Sequence, residues 1–349
     1  MATLAGDELV AFDEKKLARK WKTIQRIARE EETHPAFSPK QPAKVIAFKH
    51  QLTESFPIEF ALEGWQIIDF KDRDKWKTDY YFQVNVDKYI EDGDEAYSYI
   101  ANTGKPYMVC ELSCFRENSY RGPKDNWLYT LGWFHFLRQG FFGNKNCKPD
   151  RWKKIQKLQN IKLHPWNTKN NRHGDYVLIC LQKVNDSTLL PMHETHGKYR
   201  NWIKICINQI RNIYPRIPIV IRPHLRTKEN NYLKAIDGLH DVTVSETWQQ
   251  RNFYEGGDGL QTDLKGARFV VAYNSNVLTQ CSLQGIPAVC WDIRSMASEL
   301  CLDPGDMHDI TRVHDIKREP ILHNLAYTQW TRAEIRDGQA WEHLKQYGF

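Results

Sequence analysis

Apolar positions in this chain fall into short runs separated by stretches of helical period, most cleanly in its second half. Tyr176 to Leu181, Ile217 to Ile221, Val242 to Val244, Arg268 to Tyr273 and Ala288 to Trp291 are brief β-branched and aromatic runs, the composition of buried strands. Between them, Tyr199 to Ile213 puts apolar residues at 202, 203, 206, 207, 210 and 213, one face of a helix. Short helices are also predicted over 230–235 and 258–265. Asn274, Ser275 and Asn276 supply capping side chains for a helix starting near Val277. Gly285 suits its left-handed end, and Pro287 bars its continuation. A second polar turn, Asp292 to Ser295, predicts one more helix after it. Strands and helices alternating through short turns predict a doubly wound parallel sheet.

The first half is less regular. Leu9, Phe12, Leu17, Trp21, Ile24 and Ile27 mark an amphipathic helix over 8–32, and three prolines between His34 and Pro42 mark an arm. Strands are predicted at Val45 to Phe48, Trp65 to Phe70 and Tyr107 to Leu112, with helices at 56–62, 96–103 and 149–158. Phe115 to Gly143 is rich in aromatics, glycine and basic residues without a period, and reads as a long functional loop with short helices. The pattern divides the chain into 1–165, an α/β unit with an N-terminal helix, 166–322, a Rossmann-like unit, and 323–349, helices packing back on the first unit. The fold class is α/β, two Rossmann-like units facing a central cleft.

Composition narrows the possibilities. The 349 residues are 41% hydrophobic and 26% charged, an ordinary globular balance. No apolar run approaches the ~20 residues needed to cross a bilayer, and the N-terminus lacks the apolar core of a signal peptide, so the cytoplasm is the expected location. The eight cysteines lack zinc-site spacing and read as buried, reduced thiols. The thirteen histidines show no metal-ligand spacing, so no metal is expected. Net charge is only +6, but Arg138 to Arg172 holds ten Lys or Arg against one acid, Asp150, with Trp152 and Trp166 interleaved. Basic and aromatic side chains together suit a polyanion such as double-stranded DNA. Arg116, Arg121, Lys124, Arg138, Lys145, Arg151, Lys153 and Lys154 are the candidate contacts.

Four polar turns follow predicted strands of the second unit, and in a parallel sheet all four share one edge, where ligands bind. They carry Gln182 and Asp186; Arg222, His224 and Arg226; Asn274, Ser275 and Asn276; and Ser295 and Met296. Strand-end arginines and a histidine facing helix N-termini make a diphosphate clamp. Glu299 is placed to accept hydrogen bonds from ribose hydroxyls. Neither GxxxxGK[ST] nor GxGxxG occurs, which argues against a P-loop NTPase and a dinucleotide dehydrogenase.

These turns resemble the donor half of GT-B-type glycosyltransferases. Arg222-Pro223-His224 is similar to the Lys/Arg-Pro-His element of bacterial capsule and sialic-acid transferases, although Leu225 follows it where that pattern differs. Asn274-Ser275-Asn276 looks like the Ser/Thr pair those enzymes place after a later strand. A wider pattern over about 105–300 resembles phage-encoded glycosyltransferases. Its pieces are Lys105–Glu111, Leu131–Trp133, Asp150–Trp152, Pro165–Trp166, Gly285–Pro287 and Ser295–Ala297, besides the two turns just named. The resemblance implies a nucleotide-sugar donor, UDP-linked by preference, with no permanently bound cofactor and no required metal. It also implies an acceptor hydroxyl, for which hydroxymethylated pyrimidine in phage DNA is the first expectation. Polysaccharide or glycolipid is an alternative acceptor, and a non-catalytic DNA-binding protein on the same fold is a different class. Glu111, at a predicted strand end in the first unit, is the candidate base, with Asp69 in reserve.

Overall fold

A computed structural model describes residues 45–48, 65–84, 107–115, 123–135, 140–141, 146–167, 174–182, 199–224, 238–248, 259–293 and 295–346, besides residues 99, 100, 103, 189 and 236. The expected helices over 8–32, 56–62 and 230–235 lie outside the described residues. So do Arg116, Arg121, Arg138, Lys145, Asp186 and Arg226.

The first sheet runs β2-β1-β3-β4-β5-β12, with β6 also on β5. Strands β1 (Val45–Phe48), β2 (Trp65–Ile68), β3 (Tyr80–Val84) and β4 (Tyr107–Leu112) are parallel; β5 (Leu128–His135) runs antiparallel to β4. β6 (Gly140–Phe141) and β12 (Gln329–Thr331) both pair antiparallel with β5. β1 shows why both faces are apolar: Val45 and Ala47 enter one core with Met108 and Trp330, while Ile46 and Phe48 enter another with Tyr107 and Val109. The expected loop over 115–143 is corrected here, since it contains the eight-residue β5. Leu128 to Leu131 are all buried, so the period-two alternation that would reveal a half-exposed strand is missing.

The second sheet, β9-β8-β7-β10-β11, is parallel throughout: β7 (Tyr176–Cys180), β8 (Ile219–Arg222), β9 (Val242–Val244), β10 (Ala267–Ala272) and β11 (Ala288–Cys290). The order reverses between β7 and β10, which is the topological switch point of the sheet. Helix α1 (Asp150–Gln159) precedes this unit. On one face, α2 (Tyr199–Ile213) buries Trp202, Ile203, Cys206, Ile207 and Ile210 against Ile179, Ile221 and Val271. On the other lie residues of α3 (Gly259–Gly266) and α4 (Val277–Gln284), in one apolar cluster with Trp152 and Ile155 of α1 and with Phe115 and Leu128 of the first unit.

Gly285 ends α4 at φ 73°, and its N–H reaches back to Cys281 and Ser282. A Cβ there would lie 1.9 Å from the Pro165 carbonyl oxygen. The 164–167 segment crosses at that point, with His164 N–H donating to Leu283 O at 2.8 Å and Asn167 N–H to Gly285 O at 2.7 Å.

The expected helix after Asp292–Ser295 is replaced by short 3₁₀ turns at Ser298–Leu300, Pro304–Asp306 and Ile310–Asp315. The chain returns to β11 too soon for a helix: Leu302 N–H donates to Ala288 O and Cys290 N–H to Leu302 O. The C-terminal part supplies α5 (Arg318–Ala326), β12, α6 (Arg332–Arg336) and α7 (Gln339–Gln346). Among the described residues no helix is long and apolar enough to cross a membrane.

Candidate functional site at the switch point

β7 and β10 end side by side, and each hands over to a polar residue. Gln182, two residues past β7, is buried and accepts a 2.8 Å hydrogen bond on Oε1 from the Asn274 backbone N–H. Asn274 Nδ2 donates in turn to Asp292 Oδ2 at 3.1 Å, and Asp292, also buried, follows β11. Three of the four predicted turns are thus linked directly by side chains.

An aromatic group lies beneath them. Tyr199 stacks on Trp202 at 5.4 Å, and Tyr273 and Trp291 meet Trp202 edge-on at 5.7 and 5.8 Å. Tyr273 precedes Asn274 and Trp291 precedes Asp292 in the chain, and Tyr199 OH accepts from the Gln182 N–H at 2.7 Å. Aromatic pairs favour such offset and edge-on contacts, each worth about 0.5–1.5 kcal/mol beyond the area buried, so the polar chain stands on a well-packed support.

Spare hydrogen-bonding capacity remains at the start of α4. Ser275 Oγ receives only a long 3.4 Å contact from Val277 N–H. Asn276 is the N-cap residue but makes no side-chain cap, and its amide has no partner among the described residues. The half-buried amide, unpartnered among the described residues, and the weakly engaged hydroxyl lie beside the first N–H groups of a helix, where an anion is favoured. Ser295 is buried, its Oγ accepting from Ala297 N–H at 3.3 Å, while Met296 is half-buried and Glu299 exposed. Without a helix after β11, these three sit on turns and gain no helix dipole.

The Arg222–His224 turn follows β8, next to β7. Arg222 is buried, and its Nη1 is ion-paired with Asp263 of α3 while also donating to Thr247 Oγ1 at 3.0 Å and to Ser245 Oγ at 3.3 Å. Ser245 Oγ donates to Asp263 Oδ2 at 2.6 Å and Thr247 Oγ1 to Asp263 Oδ1 at 3.0 Å. Asp263 was not predicted. It lies in a short helix next to Leu264, and its partner stands 41 positions away, so no local spacing announces it. His224 is half-buried two residues past β8.

In the first unit, Glu111 is half-buried in β4 opposite Thr130 of β5, and Thr130 is in turn opposite Gln329 of β12. Gln329 Oε1 accepts from Ser113 Oγ at 2.8 Å, Thr130 Oγ1 at 3.1 Å and Cys114 N–H at 3.2 Å, which fixes the turn just beyond Glu111. Asp69 is exposed at the end of β2, three strands away from β4, with the parallel strands β1 and β3 between.

The expected nucleic-acid contact at Arg151 is corrected by the structure. Its guanidinium is buried, donating to both Glu334 oxygens at 3.0 and 2.9 Å and to the carbonyls of Ala326 and Gln329, with the Trp330 ring 3.6 Å away. Arg151, Ile155 and Gln159 share the inward face of α1. Lys154 reaches the same carboxylate at 2.7 Å, whereas Lys153 and Lys124 are exposed, with Lys124 6.0 Å from the Trp127 ring. All eight cysteines are free thiols. Burial pushes Cys180 and Cys290, nearest the switch point, up to about 12 and keeps them protonated.

The sheets define a class: a mixed α/β protein with a Rossmann-type parallel sheet in the second unit and its switch-point edge there. No family model matches the chain, and no curated protein sequence matches it. Among solved structures it is similar to two KpsC β-Kdo transferases of Thermosulfurimonas dismutans. The 2,4-transferase is 12% identical, with 84% of this chain and 93% of that chain covered at a TM-score of 0.47. The 2,7-transferase is 11% identical, with 86% and 99% covered at 0.45. A co-structure of S. aureus MnaA with UDP is 10% identical, with 79% and 76% covered at 0.31.

Proposed function

We propose that the chain is a glycosyltransferase that binds a nucleoside-diphosphate sugar, UDP-linked by preference, at the switch point of its second sheet. The observation that carries the reading is the Gln182–Asn274–Asp292 chain, packed over the aromatic group, with the Asn276 amide, which has no partner among the described residues, beside the α4 N-terminus. Donors fixed before the ligand arrives stabilise charge developing on a leaving diphosphate at no cost in reorganisation. Ser275, Asn276, Arg222 and His224 are assigned to the diphosphate, and Gln182 and Asn274 hold the turns in place. Glu111 is assigned the role of general base in the first unit. Transfer is proposed to proceed in EDTA.

Hydroxymethylated pyrimidine DNA is the first acceptor to assay. Arg151 no longer supports it, while the exposed Lys148, Lys153, Lys157 and Lys162 still do. The test is a donor screen by thermal shift, followed by transfer of labelled sugar to hydroxymethylcytosine DNA and to a polysaccharide. A bound nucleoside diphosphate raises the unfolding temperature by mass action. Asn276→Ala removes no side-chain hydrogen bond to any described residue, so it is expected to keep wild-type stability and lose about tenfold in UDP affinity. Tight DNA binding with no response to any nucleoside diphosphate would replace the transferase reading with a binding module.

A further inference from the structure

Arg222 is committed on one side only. Every hydrogen bond its side chain donates to a described residue leaves from Nη1, toward Asp263, Ser245 and Thr247. Nε and Nη2 carry no hydrogen bond to any described residue, although the side chain is only 7% exposed. Those two N–H groups form the flat edge with which a guanidinium grips an oxyanion bidentately. Leaving that edge idle in a buried charge is costly unless a ligand or solvent fills it.

The position within the sheet is equally specific. Arg222, Cys180, Ala272 and Cys290 are register partners across β8, β7, β10 and β11. They therefore share a sheet face, and it is the face that carries α4, as the apolar cluster containing Cys180, Ala272, Cys290, Val277 and Leu278 shows. β8 and β10 are separated by β7, so Arg222 stands about 10 Å from the strand that leads into Asn274, at about 4.8 Å per strand. A diphosphate with its flanking groups spans that interval.

We infer that Asp263, with Ser245 and Thr247, is a positioning residue that presents the Nε/Nη2 edge of Arg222 to a pyrophosphate group at the carboxyl edge of the second sheet. The inference rests on the donor-site reading only for the rest of the ligand. A pyrophosphate-sized oxyanion is what the side chains themselves select. Asp263 touches no ligand. It prevents the guanidinium from swinging onto other acceptors and holds one face of its charge neutral, so a doubly charged partner still gains from the free edge.

The test is pyrophosphate binding by calorimetry, with the Arg222 Nε–Hε cross-peak followed by NMR, in wild type, Arg222→Lys, Asp263→Asn and Thr247→Val. Wild type is expected to bind and to shift that cross-peak. Arg222→Lys and Asp263→Asn should each weaken binding about tenfold, and Thr247→Val about threefold. In Asp263→Asn the cross-peak should broaden and no longer respond. Thr247→Val removes the Oγ1 contacts to Asp263, Arg222 and the Gly259 carbonyl but leaves the Arg222–Asp263 ion pair in place, and it keeps the question open to measurement if Asp263→Asn does not fold. Unchanged affinity in Thr247→Val and any folded Asp263 variant, or a wild-type Arg222 signal indifferent to pyrophosphate, overturns the inference. Pyrophosphate binding without UDP binding would leave the inference standing and remove the sugar-nucleotide reading instead.

Discussion

Replacing Arg151 by alanine leaves the Glu334 carboxylate buried with the Thr331 backbone N–H and the mostly exposed Lys154 ammonium as its remaining partners. The guanidinium also supplies donors to two carbonyls and a cation over Trp330. Removing one member of a buried ion pair costs about 3–5 kcal/mol, because the remaining charge is stranded. Lys154 remains as partial compensation, so the lower end applies, about 3 kcal/mol. Against a total stability of roughly 5–15 kcal/mol this is a large fraction. At about 2–4 °C per kcal/mol it lowers the unfolding temperature by roughly 6–12 °C. Thermal and urea unfolding followed by circular dichroism measure it, with exposed Lys153→Ala as the control, expected within about 0.5 kcal/mol of wild type. The double variant Arg151→Met with Glu334→Leu should cost less than either single change, since no charge is stranded. If Arg151→Ala behaves like Lys153→Ala, or the double variant costs the sum of the singles, the burial of this pair is misread.

Acid should weaken the same region in two stages. Burial lowers His343 to about 4, with Arg151 adding to the effect, so the unfolded chain takes up that proton first and stability falls as pH drops from about 6.5 to about 4. Burial opposes ionisation of Glu334, but hydrogen bonds and charge from Arg151, helped by Lys154, hold it at about 2. Its contribution is therefore complete above about 4.5 and lost as pH falls toward 2. Unfolding temperature against pH checks both stages, and His343→Phe should flatten only the upper one. Gln182→Leu deprives the Asn274 N–H of its acceptor, which should cost about 1–3 kcal/mol and lower UDP affinity about tenfold by calorimetry. Gly285→Ala places a methyl into the Pro165 carbonyl at a left-handed position; a loss above 2 kcal/mol is expected in urea unfolding, and a neutral result would contradict the close crossing.

The second sheet was legible in the chain because its strands are short apolar runs bracketed by turn residues. Val242 to Val244 and Tyr199 to Ile213 have the predicted bounds, and β7, β8, β10 and β11 differ by one or two residues. Four strands were missed, for two physical reasons. β3 and β5 bury consecutive residues, Tyr81 and Phe82 in one and Leu128 to Leu131 in the other, so no alternation marks them, while β6 and β12 are only two and three residues long. At the switch point, the residue types at the strand ends were readable, but the contacts among them were not. Gln182 to Asn274 spans 92 positions, and Arg222 to Asp263 spans 41. The aromatic support was hidden for the same reason: Tyr199 and Trp202 are neighbours on α2, but Tyr273 and Trp291 meet Trp202 only once the sheet has formed.

The two arginines show what a tally of charge along the chain leaves out. Both were read as cations for a ligand, and both are buried. Arg151 sits four residues before Ile155 on α1, so helical spacing alone already placed it on the apolar face. All three of its nitrogens donate within the protein, to Glu334 and to the carbonyls of Ala326 and Gln329, and none is left for a polyanion. Arg222 spends one nitrogen on Asp263 and its neighbours and keeps two. Burial makes either charge strong, and the number of N–H groups still unpaired decides whether that strength serves the fold or a ligand. By that measure the anion-binding role belongs to Arg222 at the edge of the parallel sheet, and the basic stretch around Arg151 owes part of its charge to holding β12 and α6 against α1.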